Sequence, residues 1–167
     1  LLIQTFGLMY SNTVSAKQDF PHAISKQTLI VHAGTLLAIP GNQPLERQTV
    51  VVRNGKVDSI HAGYLSKNQV EGDDNNESII DLKNQFVMPG FIDLHVHISK
   101  EYRQGAKLDT VTMGDADNAL TGAMYALRTM NAGFTTIRDL GSRGDSIFAL
   151  RDAIKAGKVP GPRILVA

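Results

Sequence analysis

The sequence lacks the features that would assign it at once to several classes of protein. It contains no cysteine, which excludes a disulfide framework and a metal site built from thiolates. Its net charge is only +1, so nothing in it indicates binding to nucleic acid or to an acidic partner. No apolar run reaches the length of a membrane span. With 43% hydrophobic and 20% charged residues, the 167-residue chain is typical of a globular protein.

Residues 89–98, Pro-Gly-Phe-Ile-Asp-Leu-His-Val-His-Ile, carry the clearest chemical signal. The Pro-Gly pair predicts a turn, and the alternation after it predicts a strand. Asp93, His95 and His97 then share one face, and the wholly aliphatic opposite face is expected to be buried. Histidines two residues apart on a strand lie roughly 7 Å apart at their backbones, so both rings can reach one metal ion. The alternative is a plain polar face on an exposed strand.

The first 16 residues are similar to the end of a secretory signal peptide. Residues 1–10 are mostly apolar, and residues 14–16 place small side chains where a signal peptidase reads the chain. No initiator methionine precedes them, so residues 1–16 are expected to be a remnant of the signal. We therefore predict cleavage after Ala16 and a secreted or periplasmic protein. The alternative is an ordinary amphipathic helix.

Residues 17–88 are predicted to form a small sheet of β-hairpins. Asn54-Gly55 lies between two runs rich in β-forming residues, which is the strongest short-range signal for a hairpin. The predicted segments are strands at 28–38, 49–53, 56–60 and 78–82, a mobile acidic loop at 70–77 and a turn at 83–85.

Residues 99–167 are predicted to alternate between helices and strands after a polar loop at 99–112. Leu120, Ala123 and Leu127 recur at helical spacing. The predicted segments are a helix at 115–132, a strand at 134–140, a helix at 145–156 and a strand from 163. Such alternation with short links predicts an α/β fold with a parallel sheet.

Two stretches resemble the amidohydrolase superfamily of metal-dependent hydrolases. Residues 89–97 resemble its first barrel strand. Residues 131–142, Asn-Ala-Gly-Phe-Thr-Thr-Ile-Arg-Asp-Leu-Gly-Ser, and residues 153–163 resemble the imidazolonepropionase-like and Xaa-Pro dipeptidase-like group. The resemblance implies a (β/α)8 TIM-type barrel, of which residues 89–167 supply the first two to three β/α units. It also implies that residues 17–88 are part of a small N-terminal β-sandwich.

The resemblance further implies a reaction and a cofactor. The superfamily uses metal-activated water, here to hydrolyse an amide or peptide-like C–N bond of a small molecule or dipeptide. His95 and His97 would bind a divalent metal, for which zinc is expected, as part of a site with one or two ions. Because the other ligands and the general base of the family come from later strands, no catalytic residue is assigned in this chain. The chain alone is expected to be an inactive N-terminal fragment, and the full-length protein could form an oligomer.

Other interpretations of the sequence stay open. The protein could be a non-catalytic scaffold with the amidohydrolase fold, a ring deaminase that uses a single metal, or a complete protein of 167 residues. A scaffold would lack the later ligands, and a deaminase would lack a bridging acid.

Other polar residues receive weaker assignments. Asp93 is expected to support the histidine pair without binding metal directly. Arg138 and Asp139 are adjacent, so only one can face the barrel interior. Arg138 could pair with a carboxylate and Asp139 could support a ligand histidine, and the alternative is a structural ion pair at the barrel mouth. The remaining histidines are expected to be structural or surface residues: His22, His32 and His61.

Overall fold

The computed structural model describes residues 28–70 and 77–167, in which the strands form two β-sheets. The strands are β1 (Thr28–Leu36), β2 (Leu45–Arg53), β3 (Lys56–Ala62), β4 (Glu77–Val87), β5 (Phe91–Val96), β6 (Phe134–Asp139) and β7 (Arg163–Val166). The helices are α1 (Ala106–Thr112), α2 (Asp115–Asn131) and α3 (Ser146–Lys155), with a short 3-10 turn at Lys67–Gln69. The predictions for residues 1–16, for His22 and for most of the acidic loop lie outside the described residues.

The first sheet has the strand order β3-β2-β1-β4 and is mixed. The predicted hairpin is present between β2 and β3, and Asn54 (φ 50°) and Gly55 (φ 72°) both adopt the left-handed conformation that a tight hairpin turn requires. β1 lies between β2, to which it is antiparallel, and β4, to which it is parallel. The sequence had predicted a sheet made of hairpins alone. The parallel pairing of β1 with β4 shows that this prediction was only partly right.

The predicted turn at residues 83–85 is wrong, because β4 continues through it. The pairing of β1 with β4 shifts register between Ala33 and Thr35, opposite these residues. A Cβ atom on Gly34 would lie 2.2 Å from the Lys83 carbonyl oxygen, so only glycine permits this approach. The polar residues 83–85 thus form an irregularity within β4, and the chain does not change direction there.

The second sheet is parallel, as predicted, with the order β5-β6-β7. Helices α2 and α3 follow β5 and β6 in the chain and pack over β6 and β7. The core between sheet and helices consists of Ile98, Ala126, Ile137, Ile147, Leu150 and Ile164. Gly161 approaches α2 and α3 so closely that a Cβ would lie 2.5 Å from the Ile154 side chain. None of the described helices is both long and apolar enough to cross a membrane.

Two further predictions, about β5 and about the loop that follows it, need correction. The aliphatic face of β5 is only partly buried: Ile98 belongs to the core, but Ile92 is 62% and Leu94 59% exposed. The reason is that β5 is an edge strand and the described helices cover its neighbours instead. The predicted loop at residues 99–112 is also partly helical, since α1 occupies its second half.

Candidate metal site

His95 and His97 lie at the carboxyl end of β5, and both side chains are exposed. The centroids of their rings are 5.7 Å apart, and the rings meet edge to face at 74°. In the part of the chain that the structure describes, no group of three or more His, Cys, Asp or Glu side chains could hold a metal ion. The pair therefore offers two ligands, where a catalytic zinc site usually has three from the protein.

The His97 ring is oriented by a backbone contact with the next strand. Its Nδ1 lies 2.7 Å from the carbonyl oxygen of Gly141. Because a carbonyl oxygen can only accept, the proton of the neutral ring must be on Nδ1. This leaves the Nε2 lone pair free to bind a metal, and a histidine held by its other nitrogen is the usual arrangement of a metal ligand. The chemistry of the pair fits a divalent ion such as zinc.

Asp139, the last residue of β6, is almost completely buried, with 1% of its surface exposed. Its Oδ2 accepts the backbone N–H of Ile98 at 2.8 Å. Its Oδ1 accepts the backbone N–H of Gly141 and the hydroxyl of Ser142, each at 3.0 Å. The carboxylate thus joins the end of β5 to the turn after β6. Arg138 is exposed, and neither Arg138 nor Asp139 forms an ion pair within the described part of the chain, so the structural ion pair is not found there.

Asp93 also has a backbone role. Its Oδ1 accepts the backbone N–H of His95 at 2.9 Å, and the register of β5 against β6 shifts between Asp93 and Val96. The side chain therefore holds the backbone that leads into the histidine pair at a point where strand pairing is irregular.

A cleft of about 780 Å³ opens beside His97. The loop after β5, helix α1, the start of α2 and Arg143 form its walls. Glu101 fastens the loop to α2: its carboxylate accepts a hydrogen bond from the Tyr125 hydroxyl at 2.8 Å and lies 3.5 Å from the Arg128 guanidinium. The bond to Glu101 favours the protonated phenol and so raises the pKa of Tyr125 above its usual value.

The charges that line the cleft are mostly positive. The cations are Lys100, Arg103, Lys107 and Arg143, and the anions are Glu101 and Asp109. Arg103 pairs with Asp109 at 2.5 Å, and Arg143 donates to the backbone carbonyl of Thr110. Because Glu101 is balanced by Arg128 outside this lining, the cleft keeps an excess of positive charge.

The other described histidines have structural or surface positions, as expected. His32 is buried in β1 and bonds through Nε2 to the carbonyl of Leu65 at 2.8 Å. His61 is exposed on β3 and lies 2.9 Å from the Ser59 hydroxyl.

Sequence reasoning missed Gly141. Its importance lies in a carbonyl oxygen, which every residue has, and in the absence of a side chain. A Cβ atom at this position would lie 3.2 Å from Cε1 and 3.4 Å from Nδ1 of the His97 ring. The signal available was Asp139 placed two residues before a glycine and three before a serine, a spacing at which aspartate commonly bonds to the following backbone.

Comparison with known proteins relates the C-terminal half of the described residues to one protein family. The amidohydrolase family matches residues 86–167, which include the whole parallel sheet and the histidine pair. The fold is also similar to that of a Xaa-Pro dipeptidase solved with methionine in its active site, which superposes with a TM-score of 0.72 and 33% identity. Over residues 86–167, the chain is therefore related to the amidohydrolase family.

Two other proteins are also similar to this chain over part of their length. A prolidase complexed with N-methylphosphonate-L-proline superposes with a TM-score of 0.64 and 26% identity, over 83% of this chain and 31% of that one. A dihydroorotase from Elusimicrobium minutum is 30% identical over 98 residues, which is 59% of this chain and 18% of that protein. The dipeptidase match covers 84% of this chain and 33% of the dipeptidase. The chain thus spans about a third of the solved structures and less than a fifth of this curated relative.

Proposed function

We propose that the chain is the N-terminal part of a metal-dependent amidohydrolase that cleaves an amide or peptide-like C–N bond, with dipeptides as its first candidate substrates. The observation that carries this proposal is the His97 ring: Nδ1 is committed to Gly141, and Nε2 is left free beside His95. A ring prepared in this way, at the end of a parallel strand and next to a cleft, suits a metal ligand.

The proposal includes an architecture. Residues 89–167 would be the first two to three units of a (β/α)8 barrel, and residues 17–88 part of a small β-sandwich beside it. The order of parallel strands and intervening helices in β5-α2-β6-α3-β7 supports this, as does the similarity to the longer dipeptidase. Residues 1–16 as the remnant of a secretion signal remain part of the proposal.

In this proposal His95 and His97 hold a divalent ion, with zinc preferred because both ligands are imidazoles. A zinc ion bound there would supply a water nucleophile at neutral pH and polarise the scissile carbonyl. The chain's own contribution is to keep the Nε2 lone pair of His97 available at the strand end, next to the His95 ring. The remaining ligands and the general base would come from other parts of the full-length protein, so the described residues alone would be inactive.

The positive cleft beside His97 supports a substrate with a carboxylate. Lys100 and Lys107 add charge that the two acidic residues of the lining do not balance. The C-terminal carboxylate of a dipeptide would reach this charge while its amide lies near the histidines. The names of the structural relatives, a Xaa-Pro dipeptidase and a prolidase, suggest proline-containing dipeptides as the first to test.

The experiment measures peptide hydrolysis by the full-length protein, expressed from the complete reading frame that contains this chain. The purified protein, loaded with zinc, is incubated with Met-Pro, with its C-terminal amide and with other dipeptides, and released amino acid is measured. We expect hydrolysis that a chelator abolishes and zinc restores, with the free carboxylate preferred to the amide. A well-folded, zinc-loaded protein that hydrolyses no amide bond would refute the proposal and favour a non-catalytic scaffold. Release of ammonia from a ring substrate would favour the deaminase.

A further inference from the structure

We infer that Asp139 is a positioning residue for His97: its carboxylate fixes the backbone of Gly141, and through it the tautomer and the direction of the His97 ring. The effect on metal binding rests on the proposed function, but the effect on the ring does not. The two parts can therefore be tested separately.

A single carboxylate, that of Asp139, holds both partners of the contact between the His97 ring and the Gly141 carbonyl. Oδ2 accepts from Ile98, the residue directly after His97, and so sets the position of the backbone from which the ring projects. Oδ1 accepts from Gly141, whose carbonyl receives the Nδ1 proton. The distance between ring and carbonyl is thereby fixed from both ends by a single side chain.

The Asp139 carboxylate is buried and all its hydrogen bonds are accepted ones, so a side chain that donates cannot replace it. Asp139 is 1% exposed, and its oxygens accept from three donors, those of Ile98, Gly141 and Ser142. Asparagine has nearly the same shape but replaces one oxygen by an NH2 group, which can only donate. Whichever way the amide turns, it places a donor against a backbone N–H, either that of Ile98 or that of Gly141. One end of the arrangement must therefore be released.

Gly141 also leaves no room for a side chain between itself and the His97 ring. A Cβ atom at this position would lie 3.2 Å from Cε1 of the ring, which is tighter than ordinary van der Waals contact. The glycine thus allows the carbonyl to come within 2.7 Å of Nδ1 without pushing the ring away. Asp139 and Gly141 act on the same contact in different ways, one by hydrogen bonding and the other by the absence of a side chain.

The test uses the complete reading frame, labelled with ¹⁵N-histidine, and reads the tautomer of each ring from its long-range ¹H–¹⁵N correlations at a pH where the rings are neutral. In the metal-free wild-type protein we expect the proton of His97 on Nδ1. In Asp139→Asn we expect a mixture in which Nε2–H is substantially populated. Gly141→Ala should also weaken the bond, because the added methyl group displaces the ring.

Two matched controls separate this effect from general damage. Ser142→Ala removes one hydrogen bond to the same Oδ1 but leaves Gly141 bonded to it. Gly114→Ala adds the same methyl group as Gly141→Ala at a position with negative φ, where the nearest atom would lie 3.7 Å away. Both controls should keep the His97 proton on Nδ1.

Zinc affinity, measured by competition with a chromophoric chelator, gives the second readout. We expect a loss of about 10–100-fold for Asp139→Asn and Gly141→Ala, the range typical of residues that orient a metal ligand. A wild-type ring protonated on Nε2, or an Asp139→Asn ring unchanged from wild type, would overturn the inference. If Asp139→Asn does not fold, the wild-type tautomer and Gly141→Ala decide the matter. A normal tautomer response in a protein that binds no zinc would instead refute the proposed function and leave the positioning role intact.

Discussion

The two sheets each contain a histidine bonded to a backbone carbonyl, and the two rings differ in what their second nitrogen can do. In the mixed sheet, His32 is 5% exposed and packs against Tyr64, with ring centroids 5.3 Å apart. Its Nε2 bonds to Leu65, and its buried Nδ1 has no partner among the described residues. In the parallel sheet, His97 is exposed, its Nδ1 bonds to Gly141, and its Nε2 makes no hydrogen bond among the described residues.

The difference follows from the position of each ring on its strand. β1 has a neighbour on both sides, and His32 lies in its middle. His97 comes directly after the last residue of β5, where parallel strands of an α/β fold present their functional groups. A histidine whose one ring nitrogen bonds to a backbone carbonyl can thus be a core residue, as in the middle of β1. It can also be a candidate metal ligand, as at the end of β5. If the two sheets differ in this way, substitutions in the parallel sheet should impair metal binding, and substitutions in the mixed sheet should impair stability.

The largest effect is expected from His95→Asn and His97→Asn in the complete reading frame. Each removes one of the two proposed ligands, and bound metal stabilises a hydrolytic transition state by several kcal/mol. We expect zinc binding to be lost and amide hydrolysis to fall on the order of 1000-fold, with little change in the midpoint of metal-free thermal unfolding. Zinc titration and steady-state kinetics measure both effects.

The control is His61→Asn on the exposed face of β3. It makes the same chemical change outside the parallel sheet, so zinc affinity and hydrolysis should stay at the wild-type level. Full activity in either His95→Asn or His97→Asn would break the comparison, because the exposed ring would then be no more a ligand than the buried one.

Several elements of the fold were predictable from sequence because their signals are local. The helical spacing of Leu120, Ala123 and Leu127 predicted a helix that the structure places at Asp115–Asn131, within one residue at its end. Asn54-Gly55 likewise predicted its hairpin, since the turn needs two residues with positive φ and these residues adopt it readily.

The support of the candidate site could not be predicted in the same way. His97 and Gly141 are 44 residues apart, and their contact depends on how β5 and β6 pair in space. The sequence placed Asp139 near the end of the strand predicted at residues 134–140. It did not show that the Asp139 carboxylate would bond to the backbone. The exposure of Ile92 and Leu94 was also missed, because alternation predicts which residues share a face and not what covers that face.

The second largest effect is expected from Ile30→Ala in the mixed sheet. Ile30 is fully buried in β1 and packs with Val51 and Val70. Loss of the buried side chain should lower the free energy of unfolding by about 2–5 kcal/mol, measured by chemical denaturation. Zinc affinity of the folded protein should not change. The matched exposed variant is Ile60→Ala on β3, which should cost much less stability, and a parallel loss of zinc affinity would show that the two sheets are coupled.

A smaller loss of stability is expected from His32→Leu. The variant leaves the Leu65 carbonyl without the hydrogen bond from Nε2, which should cost about 1–3 kcal/mol if water cannot replace it. Leucine gains some stability in return, since the Nδ1 atom of His32 is buried without a partner in the described residues. Chemical denaturation gives the net change. Zinc binding should be unchanged; a decrease would make His32 part of the site and end the contrast with His97.

The smallest effect is expected from Tyr125→Phe, which loosens the loop beside the cleft. The bond from the Tyr125 hydroxyl to Glu101 should contribute only about 0.5–1 kcal/mol, because solvent reaches it. The pKa of Tyr125 is raised in the folded protein, so this stabilisation is fully present below the unfolded pKa of about 10 and is lost as the pH rises through the folded value. The difference in stability between wild type and Tyr125→Phe should therefore be constant near neutral pH and shrink only in strongly alkaline solution.

The control is Tyr102→Phe, a change at a fully exposed position in the same loop, which should show no such difference. A Tyr125 that titrates at or below the ordinary tyrosine pKa, seen as a difference in phenolate absorbance between wild type and variant, would mean that Glu101 does not hold the loop.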